Sequence, residues 1–188
     1  MPFTATSLPG VIIFEPAVFP DGRGFFFESY NRHLFHSNNI GNDFVQDNQS
    51  FSTYGVIRGL HYQRNPFDQA KLIRVLQGRI LDVAVDLRVG SPGFGKSLSI
   101  ELSDENRKQI FIPKGFAHGF SVLSETATIS YKCDQFYNKQ SESGIRYNDE
   151  FLNIDWQIPA GNELISEKDI RMPGFNPSLT DFTYSGDV

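Results

Sequence analysis

Three side chains of this sequence have the types needed to take a proton off carbon and return one. They are His61 in VIRGLHYQ (56–63), Lys71 in KLIRV and Tyr131 in ISYKCD. An imidazole titrates near ~6.5 and accepts a proton at neutral pH, whereas a phenol, near ~10, is a stable donor. A lysine ammonium between them would stabilise an enolate oxygen, an interaction type worth roughly 3–4 kcal/mol when preorganised. Each has a plainer reading as well. His61 can fill core space, Lys71 can be a solvated surface lysine, and Tyr131 can be an amphipathic sandwich tyrosine beside Ile129 and Cys133.

Rigid elements must hold such groups, and the surrounding sequence reads as strands. Short apolar or alternating runs recur between turn signals, among them GVIIFE (10–15), GFFFES (24–29), FVQDNQSFS (44–52), RILDVAVDLR (79–88), KSLSIELS (96–103) and ATISYKCD (127–134). Their close spacing without long helices predicts an antiparallel all-β sandwich or barrel, not βαβ units. Eighteen Phe and seven Tyr favour the same class, because aromatics fit pleated, half-buried surfaces. LQGRI predicts a hairpin turned at Gly78 with φ > 0. Helical signal is confined to SYNRHLFHSN and to SEKDI (166–170), which opens with a capping-box pattern from Ser166 to Asp169. One domain over residues 1–188 is expected, with a surface tail from about residue 171 containing Pro173, Gly174 and Pro177.

Period-2 alternation puts Leu81, Val83, Val85 and Leu87 on one face, and Ile80, Asp82, Ala84 and Asp86 on the other. The first face is core. The second must meet water, cations or a polar cavity, because unpaired buried charge is too costly. In 56–63 the same rule gives Ile57, Gly59, His61 and Gln63 one face, and Val56, Arg58, Leu60 and Tyr62 the other. Gly59 would leave open space in front of the imidazole for a ligand. A regular strand cannot aim Arg58 and His61 at one site, but a bulge at Gly59 would re-aim one of them.

Bulk properties exclude several classes. A net charge of −5 and a pI near 5.3 argue against a nucleic-acid partner, while a few local arginines can still hold a small anion. The single Cys133 rules out an internal disulfide. No apolar run approaches the ~18 residues that span a bilayer. MPFTATSLPGVIIFE lacks the basic start and apolar core of a signal peptide, so a cytoplasmic protein without membrane association is expected.

GVIRGLH, Gly55 to His61, resembles the start of the first cupin motif, and IPKGFAHGF, with Pro113, Gly115 and His118, resembles the second. The metal-binding version continues His-x-His and then a nearby glutamate. Here Tyr62 and Gln63 follow His61, and the next glutamate is Glu101. Two histidines and an amide make a poor transition-metal site, so no metal is expected.

Longer stretches carry a sharper resemblance. GRGFFFESYN, FVQDNQSFS, VIRGLHYQ, AKLIRVLQGRILDVAVDLRVGSPGFGK, IPKGFAHGF and ISYKCDQFY, then SESGIRYND and LISEKD, resemble the dTDP-4-dehydrorhamnose 3,5-epimerase family in that family's order. The resemblance implies a cupin-type jelly-roll β-sandwich with a few short peripheral helices. It also implies a homodimer, often with N-terminal strands exchanged, and no cofactor. The implied reaction inverts C3 and C5 of dTDP-4-dehydro-6-deoxy-D-glucose, on the way to dTDP-L-rhamnose for surface polysaccharides such as lipopolysaccharide O-antigen. His61 would be the base, Tyr131 the acid and Lys71 the neighbour of the C4 oxygen. Asp169, otherwise the cap of a short helix, would orient His61. Arg23, Glu28, Gln46, Asn48, Arg58, His118, Glu142 and Lys168 fall on the family's ligand-contacting positions. Tyr137 matches the aromatic that stacks on thymine, a contact typically worth ~1–3 kcal/mol. Other readings stand beside it. They are an epimerase of one centre or of another nucleotide-linked 4-keto-6-deoxy sugar, a silent nucleotide-sugar-binding cupin, and a metal-dependent cupin isomerase or oxygenase.

Overall fold

The strand Arg79–Asp86 shows how the chain buries itself in the computed structural model, which describes residues 2–186. Ile80 and Ala84 point into a core shared with Ile73, Ile110, Ile129 and Phe120, while Leu81, Val83 and Val85 point the opposite way and are equally buried. Two six-stranded sheets face each other across that core. One runs, in spatial order, Phe3–Ala5, Ile12–Phe14, Gln109–Ile112, Lys71–Gln77, Thr126–Cys133, Gln46–Thr53. The other runs Ser97–Ser103, Arg79–Asp86, Phe116–Val122, Val56–Gln63, Glu142–Gly144, with Leu164–Ile165 added in parallel on Val56–Gln63. The remaining pairings within these sheets are antiparallel, as the close spacing of the runs predicts. Helix Arg32–His36 covers the outer face of the first sheet, seating Phe35 against Phe14, Leu72 and Phe111. No helix among the described residues is long and apolar enough to cross a membrane.

The expected hairpin at Gly78 does not form. Gly78 does take φ +81, but Lys71–Gln77 and Arg79–Asp86 belong to different sheets, so the turn crosses the sandwich. Both edges of Lys71–Gln77 are already occupied, by Gln109–Ile112 and Thr126–Cys133. A Cβ at residue 78 would stand 2.1 Å from the Thr126 carbonyl oxygen, so glycine is needed for space as well as for φ.

The irregularity at Gly59 is present. His61 pairs with His118 and Arg58 with Phe120, so the step from 58 to 61 is matched by the shorter step from 120 to 118. One extra residue re-aims the strand. Ile57, Leu60 and Tyr62 pack outward with Leu81 and Trp156, and both Arg58 and His61 reach the space between the sheets. The reason for the glycine differs from the expected one. A Cβ at 59 would lie 2.6 Å from the Gly119 Cα, so the missing side chain admits a neighbouring backbone and not a ligand.

Of the surroundings open to the second face of 79–88, the structure excludes water and gives Asp86 a cation and Asp82 a cavity-lining histidine. Asp82 and Asp86 are fully buried, and each has found its own partner. The His118 ring Nε2 lies 2.9 Å from Asp82 Oδ2. Asp86 accepts a bidentate pair from Arg88 at 2.9 and 2.7 Å, and the Ser91 hydroxyl at 2.6 Å. The same guanidinium donates to the Pro9 carbonyl at 2.8 Å and lies over the Phe116 and Tyr184 rings.

The segment beyond 171 runs mostly along the surface and is fastened to it at several points. Phe182–Thr183 pairs in parallel with Arg88–Val89, and Phe182 is 5% exposed. The Phe175 amide donates to Asp149 and the Pro173 carbonyl accepts from Arg146. The apolar outer face of the second sheet demands this cover, supplied by Ile145, Leu152, Trp156 and Phe182.

Candidate active site

Between the sheets lies a cavity of two lobes. The larger, about 600 Å³, is lined by Arg58, His118, Phe120, Lys168 and Asp169 among others. The smaller, about 310 Å³, is lined by Gln46, Asn48, Gln63, Cys133, Tyr137 and Glu142. His61, Lys71 and Tyr131 line both and form the waist.

Three different elements bring that trio together. His61 sits past the bulge on Val56–Gln63, Lys71 opens the strand Lys71–Gln77, and Tyr131 stands on Thr126–Cys133 opposite Ile73 and Asn48. The His61 Nε2 lies 2.7 Å from Asp169 Oδ1, on the helix Glu167–Ile170. A carboxylate accepts, so Nε2–H donates to it and Nδ1 is left as the basic nitrogen. Asp169 is also tied at its own helix start. Its amide donates to Ser166 Oγ at 3.1 Å, and its second oxygen accepts the Gly59 amide at 3.3 Å. The cap is therefore Ser166, and Asp169, whose amide that cap accepts, is the imidazole partner and not the cap itself. Burial opposes ionisation of Asp169, but the hydrogen bond and charge of His61, with the bonds from Gly59 and Ser166, hold its carboxyl below the usual range.

Burial lowers the Lys71 ammonium below its ordinary pKa, while Cys133, Asp82 and Glu142 partly oppose the shift. Among the described residues it makes no ion pair. A poorly solvated cation of this kind is suited to a developing oxyanion. Burial also raises the Tyr131 phenol, with Cys133 adding to the rise and Arg58 opposing it, so the group stays protonated at neutral pH. Arg58 is held by Ser52 Oγ at 3.1 Å and the Phe51 carbonyl at 3.3 Å.

The smaller lobe is a chain of polar contacts. The Gln46 amide donates to Asn48 at 3.0 Å, and Gln46 Oε1 accepts the Tyr137 amide at 2.9 Å. The Tyr137 hydroxyl reaches Glu142 at 3.2 Å, and the Lys168 ammonium closes on the same carboxylate at 2.5 Å. The exposed Tyr137 ring stands at the mouth, where an aromatic base can lie on it. Gln63, at the position where a metal-binding cupin has its next ligand, donates to the Phe67 and Phe136 carbonyls and accepts the Asn138 amide. Its amide clamps the 135–138 loop.

Two expected site residues are not brought to the cavity. Arg23 and Glu28 belong to the exposed segment around the small hairpin Phe19–Asp21 and Gly24–Phe26, and neither lines a lobe. Arg23 is instead paired with Asp21 at 2.6 Å. Sequence reasoning also missed Ser50, which lines the larger lobe, and Ser52, which anchors Arg58. The alternation that links Gln46 and Asn48 continues to both and would have found them.

The architecture is that of a cupin-type jelly roll with a cavity equipped for acid–base work. A family model described as dTDP-4-dehydrorhamnose 3,5-epimerase matches residues 5–177. A relative from Shigella flexneri bearing that name is 53% identical over 168 residues, 88% of this chain and 91% of its own. Two solved structures are similar across nearly their whole length. The enzyme of that name from Elizabethkingia anophelis NUHP1 has a TM-score of 0.88 at 52% identity, covering 92% of this chain and 95% of the other. A dTDP-6-deoxy-D-glucose-3,5-epimerase from Legionella pneumophila Philadelphia 1, in complex with dTDP-4-keto-L-rhamnose, has a TM-score of 0.91 at 43% identity, covering 98% of each chain. This chain belongs to the dTDP-4-dehydrorhamnose 3,5-epimerase family.

Proposed function

We propose that this protein is a dTDP-4-dehydrorhamnose 3,5-epimerase, inverting C3 and C5 of dTDP-4-dehydro-6-deoxy-D-glucose through enolates. The observation that carries the reading is the waist of the cavity. There a histidine backed by a buried carboxylate, a lysine cation and a protonated tyrosine meet between two lobes, one of which ends in an exposed aromatic ring.

The C4 ketone acidifies the protons on both C3 and C5. His61 Nδ1 takes one, and the Asp169 carboxylate stabilises the imidazolium that results. The electrons move into the C4 oxygen beside the Lys71 ammonium. Tyr131 then gives a proton to the opposite face of the same carbon, which inverts the centre. The dTDP group occupies the smaller lobe, with Gln46 and Asn48 beneath it, thymine on Tyr137, and Glu142 and Lys168 at the rim. Arg58 and His118 hold the substrate from the larger lobe.

The test is proton NMR of dTDP-4-dehydro-6-deoxy-D-glucose with the protein in D2O, followed by a rhamnose-forming reductase. Loss of both the H3 and H5 signals and formation of dTDP-L-rhamnose are expected. Exchange at a single carbon would identify a one-centre epimerase, and no exchange would leave a binding protein. Tyr131→Phe should keep deuterium exchange but cut product formation about 10²–10⁴-fold, the usual contribution of one acid or base. Unchanged product formation would remove Tyr131 as the acid.

The reading extends to a cytoplasmic homodimer. Phe19, Phe25 and Phe26 stand 56–69% exposed on the small hairpin, an apolar surface beside Arg23 and Glu28 that a second copy would cover. Arg23 and Glu28 of one subunit would then complete the nucleotide lobe of its partner. A monomeric mass by sedimentation would remove this arrangement.

A further inference from the structure

One buried carboxylate, behind the His118 that lines the larger lobe, has no part in the proton transfers above. Asp82 is fully buried on Arg79–Asp86, between Ile100 and Phe120 on the flanking strands. Its Oδ2 is 2.9 Å from His118 Nε2, and its Oδ1 is buried without a hydrogen-bond partner among the described residues. An incompletely satisfied carboxylate in a sandwich core is costly, and the inward positions beside it are filled by Ile80 and Ala84. Simple space filling would have been better served by another aliphatic side chain.

The imidazole it holds is placed with equal care. His118 and His61 are register partners on adjacent antiparallel strands, so the two rings line the larger lobe side by side. Each has its Nε2 against a buried carboxylate from a different element, Asp169 behind His61 and Asp82 behind His118. With Nε2–H given to Asp82, the nitrogen that His118 has left for a ligand is Nδ1, as an acceptor.

We propose that Asp82 is a positioning residue that fixes the His118 tautomer, so that Nδ1 accepts a hydrogen bond from a hydroxyl of the bound sugar. This rests on the reading of the cavity as a site for a nucleotide-linked 4-keto sugar. It gives the ring an anchor that does not exchange protons with it, next to a histidine that does. A carboxylate oxygen accepts the ring N–H, so the tautomer is set before substrate arrives.

Two measurements test it on the full chain. The first is ¹⁵N NMR of the histidine rings in the unliganded wild-type protein at about pH 8, where ordinary imidazoles are neutral. A protonated Nε2 and a bare Nδ1 are expected for His118, and a proton on Nδ1 would overturn the proposal whatever the activity. The second is a double-mutant cycle of Asp82→Asn with His118→Gln in the epimerase assay. Asp82→Asn should lower kcat about 10–100-fold, the loss typical when a group that orients a functional histidine is replaced. In the His118→Gln background the same change should cost less than about twofold, since coupled residues do not act additively. Equal losses in both backgrounds would make Asp82 a packing residue and sink the idea. Should Asp82→Asn not fold, the ring NMR on the wild-type protein still decides. A wild-type protein that failed to turn over the sugar would overturn the substrate reading alone, because the tautomer measurement does not depend on it.

Discussion

His61→Asn should abolish deuterium exchange at both sugar carbons, with turnover lower by about 10²–10⁴-fold, while dTDP still binds. Asparagine is short and polar and can still face the Asp169 carboxylate, so the cavity wall should survive. What it lacks is a nitrogen that can take up a proton near neutral pH. The contacts that join Gln46, Asn48, Tyr137 and Glu142, proposed above to hold the nucleotide, belong to other strands and loops and do not pass through the imidazole. Calorimetric titration with dTDP should therefore give a Kd within about threefold of wild type, less than the ~1.4 kcal/mol that a tenfold change represents. NMR of the sugar in D2O reads the other half. Substantial exchange in the variant would place the base elsewhere on the waist.

The second large effect is on stability. Asp86→Ala should destabilise the fold by about 3–5 kcal/mol, the range for removing one member of a buried ion pair. Asp86 is fully buried, and the Arg88 side chain retains only 12% exposure, so the guanidinium left behind has no easy route to water. The loss would also strip the Ser91 hydroxyl and the Arg88 amide of their acceptor. Urea denaturation followed by fluorescence of the single Trp156 reads it directly. The double change Asp86→Leu with Arg88→Met should recover much of the stability, because two matched apolar groups leave no orphaned charge. A loss below about 1 kcal/mol for Asp86→Ala would show a pair that behaves like a solvated surface bridge.

Particular residues show what the sequence made legible. Alternation identified the strands and put Gln46 beside Asn48, because a period of two is local information. It could not say which sheet a strand joins. Gly78 therefore announced its turn but not the crossing, which depends on the two edges of Lys71–Gln77 being taken by strands far along the chain. At Gly59 the conflict between Arg58 and His61 exposed the bulge, whereas its cause, the Gly119 backbone, lies 60 positions away. Asp82 was on the right face, and only the folded chain supplies His118 as its partner. Arg23 and Glu28 were recognisable by resemblance alone, and the single chain leaves them away from the cavity.

Asp169 lies 108 positions along the chain from the imidazole it steadies. On the ribosome the lining of the smaller lobe is complete in sequence before that carboxylate is made, while the larger lobe still lacks Leu164, Ile165, Ser166 and Lys168. A nascent chain that has emerged only through Gly144 carries His61, Lys71 and Tyr131, together with the residues that line the smaller lobe, but neither Lys168 nor a counter-ion for the imidazole. The smaller lobe and the carboxylate behind the imidazole are therefore encoded at different times in synthesis, the second on the helix that follows the Leu164–Ile165 strand.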